Sequence, residues 1–331
     1  MPSRTGQLGA LKRRHPMDII YLDQNHWIDL SRVHAGKVTK GPRADLYDEL
    51  LAAVERGAAL FPLSASHILE TSKRNDQASR SNLAATQVKL SRGYVYRSRP
   101  GRLKAEVRTA LRRLFGLTRP SQAEELAIVP GFLQAFPPFD SSIASPEALL
   151  LLERINRNFA PAGQYWDFMA NQDDDRRRST HLLLEAMAGT AISDIQRQRN
   201  LLKGSSVDLQ RRAYAAQLFL AHRPLYLELL SELERSFEEL VSLGDEALRA
   251  LVWEVPTLDI EAELSARIGA ETRELDSHDL FDMQAMYTAI PYSQHVIAEK
   301  ASVSRARQAR LDKKYNVTLS SSLDVLQGAY G

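Results

Sequence analysis

Apolar and polar positions follow two different spacings along this chain, and the change between them marks its elements. The run Ile19-Ile20-Tyr21-Leu22 is short, apolar and partly β-branched, which predicts a buried strand over residues 18–22. At Asp23 the pattern becomes helical, with Trp27, Leu30 and Val33 spaced in threes to about His34. A second amphipathic helix is predicted over 44–56, with Leu46, Leu50, Leu51 and Val54 on one face. The apolar run at 58–63, AALFPL, reads as a second, parallel strand. Ser64 then opens a helix that carries Ile68, Leu69 and Glu70. The opening thus spells β-α-α-β-α.

From Asn75 to about Glu271 the pattern is mostly helical, broken by proline and glycine. Tyr94-Val95-Tyr96 reads as a short strand or part of a turn, and 101–114 as a basic helix. Residues 130–146 form a proline-containing connection, 148–159 a helix, and QDDDRRR at 172–178 a solvated charge cluster. Three long amphipathic helices are expected at 180–202, 209–220 and 224–243, without the fixed period of a solenoid. Alternation between strand and helix returns at the end. A helix at 279–289 and a strand at 295–298 are followed by a basic helix at 304–314, a strand at 315–319 and a closing helix at 323–330. The simplest assembly is one α/β domain built from 17–74 and 276–331, interrupted by a helical insertion at 75–275 and preceded by a loose basic arm at 1–16.

Composition narrows the class. The chain has 331 residues, 44% hydrophobic and 25% charged, which suits a globular protein able to bury a core without staples. It has no cysteine, which excludes disulfides and thiolate zinc sites. No apolar run reaches the ~20 residues of a membrane-spanning helix, and the start lacks the apolar core of a secretory signal. A cytoplasmic protein with no membrane partner is the expectation. The net charge of +2 hides two blocks: about +11 over residues 73–119 and about −11 over 223–282. Such blocks suggest separate surfaces with separate tasks, or else faces that neutralise one another.

Four acidic positions share one context. Asp23 and Glu299 directly follow strands, Glu70 lies just beyond one, and Asp282 begins a helix with Asp279 one turn earlier. In a parallel sheet the strand ends point the same way, so these carboxylates can converge, and convergence raises their pKa unless a cation joins them. Oxygen ligands suit Mg²⁺ or Mn²⁺, which can polarise a phosphodiester and activate water. Asn25 could orient Asp23 or a metal-bound water. The plain alternative is surface acids and helix caps, with Asp23 the N-cap of the helix it precedes.

IIYLDQNHWIDL, with its strand, Asp-x-Asn and apolar helix, resembles the first motif of PIN-domain nucleases. PLSASHILE resembles their second motif and supplies Glu70. DLFDMQAMYTA resembles the third and best fits Asp282, with Asp279 as the neighbour that shares or replaces its role. HVIAEK resembles the fourth and supplies Glu299, although Glu stands where Asp is commoner and Ile297-Ala298 precede it in place of a hydroxyl residue. The resemblance covers roughly 17–74 and 276–330 and implies an α/β, PIN-like three-layer core with a short parallel sheet. The mostly α-helical insertion is large for that family. It also implies a metal-dependent endonuclease, most often cutting single-stranded RNA in preference to DNA and often serving as a toxin or defence effector. Asp23, Glu70, Asp282 and Glu299 would be the metal ligands, with Asp279 and Asn25 assisting.

Arg97, Arg99, Arg102, Lys104, Arg108, Arg112 and Arg113 form the densest basic stretch, just after Tyr94 and Tyr96. On a helix such charges can follow a phosphate backbone, and tyrosines can stack on bases. Equally, the stretch can pack against the acidic block. His26, His67 and His278 lie near the acids and read as structural more readily than as proton shuttles; no HExxH spacing, P-loop or GxGxxG occurs. The amphipathic helices at 180–243 could form a homodimer or meet an inhibitory or activating protein, though internal core is the simpler use. Two other readings remain beside the nuclease: a nucleic-acid-binding or protein-interaction module with a weak or lost metal site, and a phosphatase-type hydrolase of small molecules.

Overall fold

The computed structural model describes residues 17–118, 126–137, 160–171, 192–272 and 274–331. The basic arm, the helix at 148–159, the charge cluster at 172–178 and the first part of the helix at 180–202 lie outside them. The protein is α/β and mostly helical, with a four-stranded parallel sheet. It divides into two compact units: Met1–Ser98 with Ile128–Leu184 and Tyr292–Gly331, and Arg99–Ala127 with Glu185–Pro291.

The first unit holds the sheet. Strand β1 (Asp18–Leu22) leads into α1 (Gln24–His34) and α2 (Pro42–Glu55), and β2 (Ala59–Leu60) follows. Near the end of the chain come β5 (His295–Ile297) and β6 (Thr318–Ser320). The spatial order is β2-β1-β5-β6. All three pairings are parallel, with Asp18 opposite Ala59, Leu22 opposite Ile297 and Ile297 opposite Ser320. A strand inside a parallel sheet is covered on both faces, which is why Ile19–Leu22 is apolar without alternation and buried throughout. Gln294 sets the register just before β5: its side-chain oxygen accepts from Ile19 N–H at 2.7 Å while its own N–H donates to the Ile19 carbonyl at 2.8 Å.

The chain leaves β1 for β2 on one side, and β5 later fills the other side and leads on to β6. Connections therefore depart in opposite directions from the β1–β5 pair. Such a switch point leaves a crevice at the carboxyl ends of the two strands, where open parallel sheets bind ligands.

Several elements expected in the insertion pack with the sheet. Helix α3 (Ala65–Ser72) is followed by α4 (Gln77–Ser91) and by β3 (Tyr94–Tyr96), which pairs antiparallel with β4 (Ile128–Pro130). Val95 also bridges Leu63, and Tyr96 bonds Ser293 through its hydroxyl at 2.7 Å. A 3-10 turn at Phe132–Ala135 and α6 (Pro161–Asn171) complete the described part of this unit before β5. Trp27 and Leu30 of α1, Leu50 of α2, Leu83 and Leu90 of α4, and Tyr165 and Met169 of α6 share one core with Ile20 and Leu22. Full burial of each such side chain contributes about 1.5–3 kcal/mol.

Gly93 makes the close approach of α6 workable. Its φ is +79°, and a Cβ there would lie 2.4 Å from the Ala162 nitrogen and 2.7 Å from the Pro161 carbonyl carbon. Backbone cannot yield as a flexible side chain does. Gly93→Ala is expected to destabilise the protein by about 2–4 kcal/mol, read as a fall in the urea midpoint at unchanged slope. A midpoint equal to wild type would refute the close packing of α6 on this turn.

The second unit is helical: α5 (Arg99–Leu114), α7 (Val207–Ala221), α8 (Arg223–Glu232), α9 (Phe237–Ser242), α10 (Asp245–Trp253), α11 (Pro256–Ala270) and α12 (Ser277–Ala289). Residues 192–201 are helical as well. Its core joins Leu103, Val107 and Leu111 of α5 to Tyr226, Leu229, Leu251 and Leu258. The single helix expected at 224–243 is two, because Glu234 takes the left-handed φ of +55° and a Ser236–Glu239 capping box starts α9. The basic helix expected at 304–314 is likewise broken at Arg310, with φ +56°, into α13 (Lys300–Gln308) and α14 (Leu311–Tyr315). The closing helix at 323–330 is only a 3-10 turn, Leu323–Leu326. Unit boundaries thus differ from cuts at 74/75 and 275/276: α4, β3, β4 and α6 belong with the sheet, and α12 with the helices. No helix among the described residues is long and apolar enough to cross a membrane.

Candidate functional site

Asp23 lies where β1 becomes α1. Its N–H still joins the sheet, donating to the Ile297 carbonyl at 2.8 Å, while its carbonyl accepts from His26 and Trp27 and starts the helix. Its carboxylate Oδ1 accepts from Gln24 N–H at 2.7 Å. The N-cap role and a place at the strand end are therefore combined in one residue. Glu299, two residues beyond β5, is the N-cap position of α13 but makes no side-chain cap bond, so its carboxylate is left to face outward. Asn25 Nδ2 donates to Glu299 Oε1 at 3.3 Å. The bond brings Asn25 to Glu299.

Asp23 and Glu299 occupy the carboxyl ends of the two strands that flank the switch point. Burial raises the Asp23 pKa most, the Gln24 N–H pulls it back, and the Glu299 charge raises it further, to about 6. A cation set against Asp23 and Glu299 would relieve that penalty. Mg²⁺ is commonly held by one or two carboxylates plus waters, so this donor set fits such an ion. Among the described residues, no three of His, Cys, Asp and Glu gather closely enough to hold a metal.

Glu70 lies on α3, half-buried. Its neighbour Thr71 accepts at Oγ1 from Gln24 Nε2 at 3.2 Å, so the residues following Asp23 and Glu70 are bonded to each other. Asp279 and Asp282 lie on α12 of the second unit, whereas Asp23, Glu70 and Glu299 lie in the first. Asp279 is buried and forms a capping box with Asp276: its N–H donates to Asp276 Oδ1 at 3.0 Å, and its Oδ2 accepts from Asp276 N–H at 3.3 Å. That local task gives Asp279 a structural role at the start of α12. Asp282 is half-buried one turn later.

His67 is a core residue. Its ring stacks on Tyr21 at 4.9 Å and meets Trp27 edge-on at 6.1 Å. Its Nδ1 accepts from Ser64 N–H at 3.0 Å, closing the capping box of α3. Burial lowers its pKa to about 3, against a small opposing pull from the Leu22 carbonyl, so the ring is neutral at pH 7. His26 is also lowered, chiefly by burial.

The basic stretch meets the acidic block inside the second unit. Arg99 pairs with Glu261 at 2.5 Å, Lys104 with Glu228 at 2.5 Å, Arg108 with Glu232 at 2.7 Å, and Arg113 with Glu254. Arg102 is buried and donates to Thr288 Oγ1 at 2.9 Å. Arg97 and Arg112 are half-buried. The opposing charge blocks therefore neutralise one another along α5. Arg99→Ala leaves Glu261, at 17% exposure, without this guanidinium. It is expected to cost about 2 kcal/mol, measured by urea unfolding, and Arg99→Lys should recover part of it.

A buried polar series that begins at Gln24 has no motif in the sequence. Gln24, Thr71, Gln87 and Tyr165 are each less than 10% exposed and hydrogen-bond in succession. Their spacing carries no motif, since each comes from a different helix.

Comparison with protein-family profiles, curated proteins and solved structures finds no match.

Proposed function

We propose that this chain is a metal-dependent endonuclease with a PIN-like core, hydrolysing phosphodiester bonds in single-stranded RNA. The observation that carries the reading is the pairing of Asp23 with Glu299 across the β1–β5 switch point, where Asp23 is held at a raised pKa. Asp23 and Glu299 would hold Mg²⁺ or Mn²⁺ within the first unit. The ion, when bound, supplies Lewis-acid activation of the scissile phosphate and of water. Asn25 donates to Glu299 Oε1, and the Gln24 N–H donates to Asp23 Oδ1. The internal pairing of α5 leaves the substrate grip to other cations than Arg99, Lys104, Arg108 and Arg113.

A module that binds without cutting is the second reading, favoured by the lack of a three-acid cluster among the described residues. One experiment separates them. Labelled single-stranded RNA and DNA are incubated with wild type or Asp23→Asn in Mn²⁺, Mg²⁺ or EDTA. Cleavage of RNA that needs the metal and vanishes in the variant is expected. Retained binding with intact substrate in every condition would replace the nuclease by the binding module.

A further inference from the structure

The helix pair that follows Glu299 is strongly basic. Residues 300–322 carry six Lys and Arg, at Lys300, Arg305, Arg307, Arg310, Lys313 and Lys314, against the single acid Asp312. They include α13 and α14, the crossover from β5 to β6, and lie wholly in the first unit. Lys300 opens α13 beside Glu299, at the carboxyl end of β5. Arg307 comes two helical turns later and so shares a face with Lys300. The nine residues of α13 carry positive charge about 13 Å from Glu299 before Arg310 and Lys313 continue it into α14.

Four of these cations differ from those of α5. Lys300, Arg307, Arg310 and Lys313 are exposed. Among the described residues none of the four pairs with a carboxylate, Asp312 included. Arg307 donates to the Leu319 carbonyl at 2.6 Å, which holds the side chain without neutralising it. On α5, by contrast, Arg99, Lys104, Arg108 and Arg113 each meet a glutamate. Like charges gathered without counter-charge repel one another and raise a positive potential over the surface that bears them. A bound polyanion offsets that repulsion.

What the surface lacks narrows the partner. Val303, Ala306, Leu311 and Tyr315 are buried, so the apolar side of the pair is spent on the fold. The other exposed positions from Lys300 to Asn316 are Ala301, Ser304, Gln308 and Asn316. A helix that lies in a membrane surface needs large apolar side chains on its outer face, and a protein interface needs an apolar or aromatic anchor. Neither is offered here. Contact with a phosphate backbone needs only the charges.

We infer that Lys300, Arg307, Arg310 and Lys313 form the surface that grips the RNA backbone beside the Asp23–Glu299 crevice. This surface belongs to the nucleic-acid reading proposed above and needs no bound ion.

The test is fluorescence anisotropy of labelled single-stranded RNA with the full chain in EDTA, over about 50 to 300 mM KCl. The triple variant Lys300→Gln, Arg310→Gln, Lys313→Gln removes three charges from the surface and spares the Arg307–Leu319 bond. The control Lys37→Gln, Lys40→Gln, Lys89→Gln removes three exposed charges elsewhere in the first unit. Each phosphate contact to a single strand adds about 0.7 to the slope of log affinity against log salt. The first variant should therefore show a slope shallower by about 2 and an affinity about a hundredfold lower at about 0.1 M salt, with the control close to wild type. Wild type that binds RNA, with the two variants weakened equally or not at all, overturns the inference and leaves the nucleic-acid reading standing. Wild type that binds no RNA or single-stranded DNA overturns both. Binding to phosphatidylserine vesicles in place of RNA, lost in the first variant only, overturns both in favour of a membrane surface. Should the triple variant not fold, Lys300→Gln with Lys313→Gln carries the comparison against Lys37→Gln with Lys40→Gln, with an expected slope change of about 1.4.

Discussion

Asp23→Asn is expected to lose metal-dependent cleavage by about a thousandfold or more while making the metal-free protein more stable at pH 7. The two effects share one cause. Folding places the Asp23 carboxylate in a desolvated position near Glu299 and raises its pKa from 3.8 to about 6. A carboxylate raised in this way is bound to its proton more tightly when folded than when unfolded. Its favourable contribution is complete below about pH 4 and is lost as the pH rises through about 6. At pH 7 the ionised group therefore costs about 2–3 kcal/mol. Asparagine keeps the shape and an oxygen for the Gln24 N–H but carries no charge. Urea unfolding at pH 7 in EDTA should show the gain, and an Asp23→Asn protein less stable than wild type would contradict the argument. Saturating Mn²⁺ should reverse the order: at a thousand times its Kd an ion adds about 4.1 kcal/mol to the wild type and nothing to the variant.

The second large effect belongs to His67, and its sign is opposite. Its folded pKa of about 3 lies below its unfolded value of 6.5, so the native state excludes a proton that the unfolded chain accepts. The stability this protects is present above about pH 6.5 and falls as the medium is acidified toward 3, by about 4–5 kcal/mol in all. Between about pH 4 and 6 the Asp23 and His67 contributions have equal and opposite slopes of about 1.4 kcal/mol per pH unit. They cancel in the wild type. In Asp23→Asn stability should therefore rise with pH across this window more steeply than in wild type, and in His67→Asn it should fall relative to wild type. The double variant should restore the wild-type slope. Unfolding curves at pH 4, 5, 6 and 7 test this directly; parallel curves for all four proteins would show that neither group titrates out of register with the unfolded chain. The His67→Asn protein should also lose about 2–3 kcal/mol at neutral pH from the emptied space beside Tyr21 and Trp27, while its side-chain oxygen still caps Ser64 N–H.

The elements legible in the sequence were those whose hydrophobic pattern is local. Strand β1, helices α1 and α2, and strand β5 fall close to the residues read from Ile19–Leu22, Trp27–Leu30, Leu46–Val54 and Val296-Ile297. The run 315–319 places β6 about three residues early, because Tyr315 ends a helix and Asn316 turns the chain with φ +49°. Helix breaks at Glu234 and Arg310 depend on left-handed backbone at ordinary residues, which composition does not announce; only the Ser236–Glu239 box could have flagged the first. Which unit a helix joins is a matter of partners. Periodicity shows that α4 and α6 have an apolar face, but not that Leu83 and Tyr165 meet Trp27. At the site, the placement of Asp23 and Glu299 followed from strand ends alone. The Asp276–Asp279 box was visible as Asp-x-x-Asp and the ion pairs of α5 as opposite charge blocks, yet each had an equally simple competing use. The Gln24 series was illegible because polar residues inside helices acquire meaning only when four helices have converged.

The sheet pairs the earliest described strand, β1, with the late strand β5, and this gives synthesis a fixed order. Glu299 is made 276 residues after Asp23, a delay of about 15–55 s at ordinary elongation rates. Until β5 is available, β1 presents an unpaired edge to a nascent chain that has nothing to cover it. Residues 17–98 can gather α1 to α4 around Trp27 on the ribosome, but Asp23 and Glu299 come together only once β5 has been made. Folding of the sheet is therefore a late, long-range event, slower than the local helical packing that precedes it.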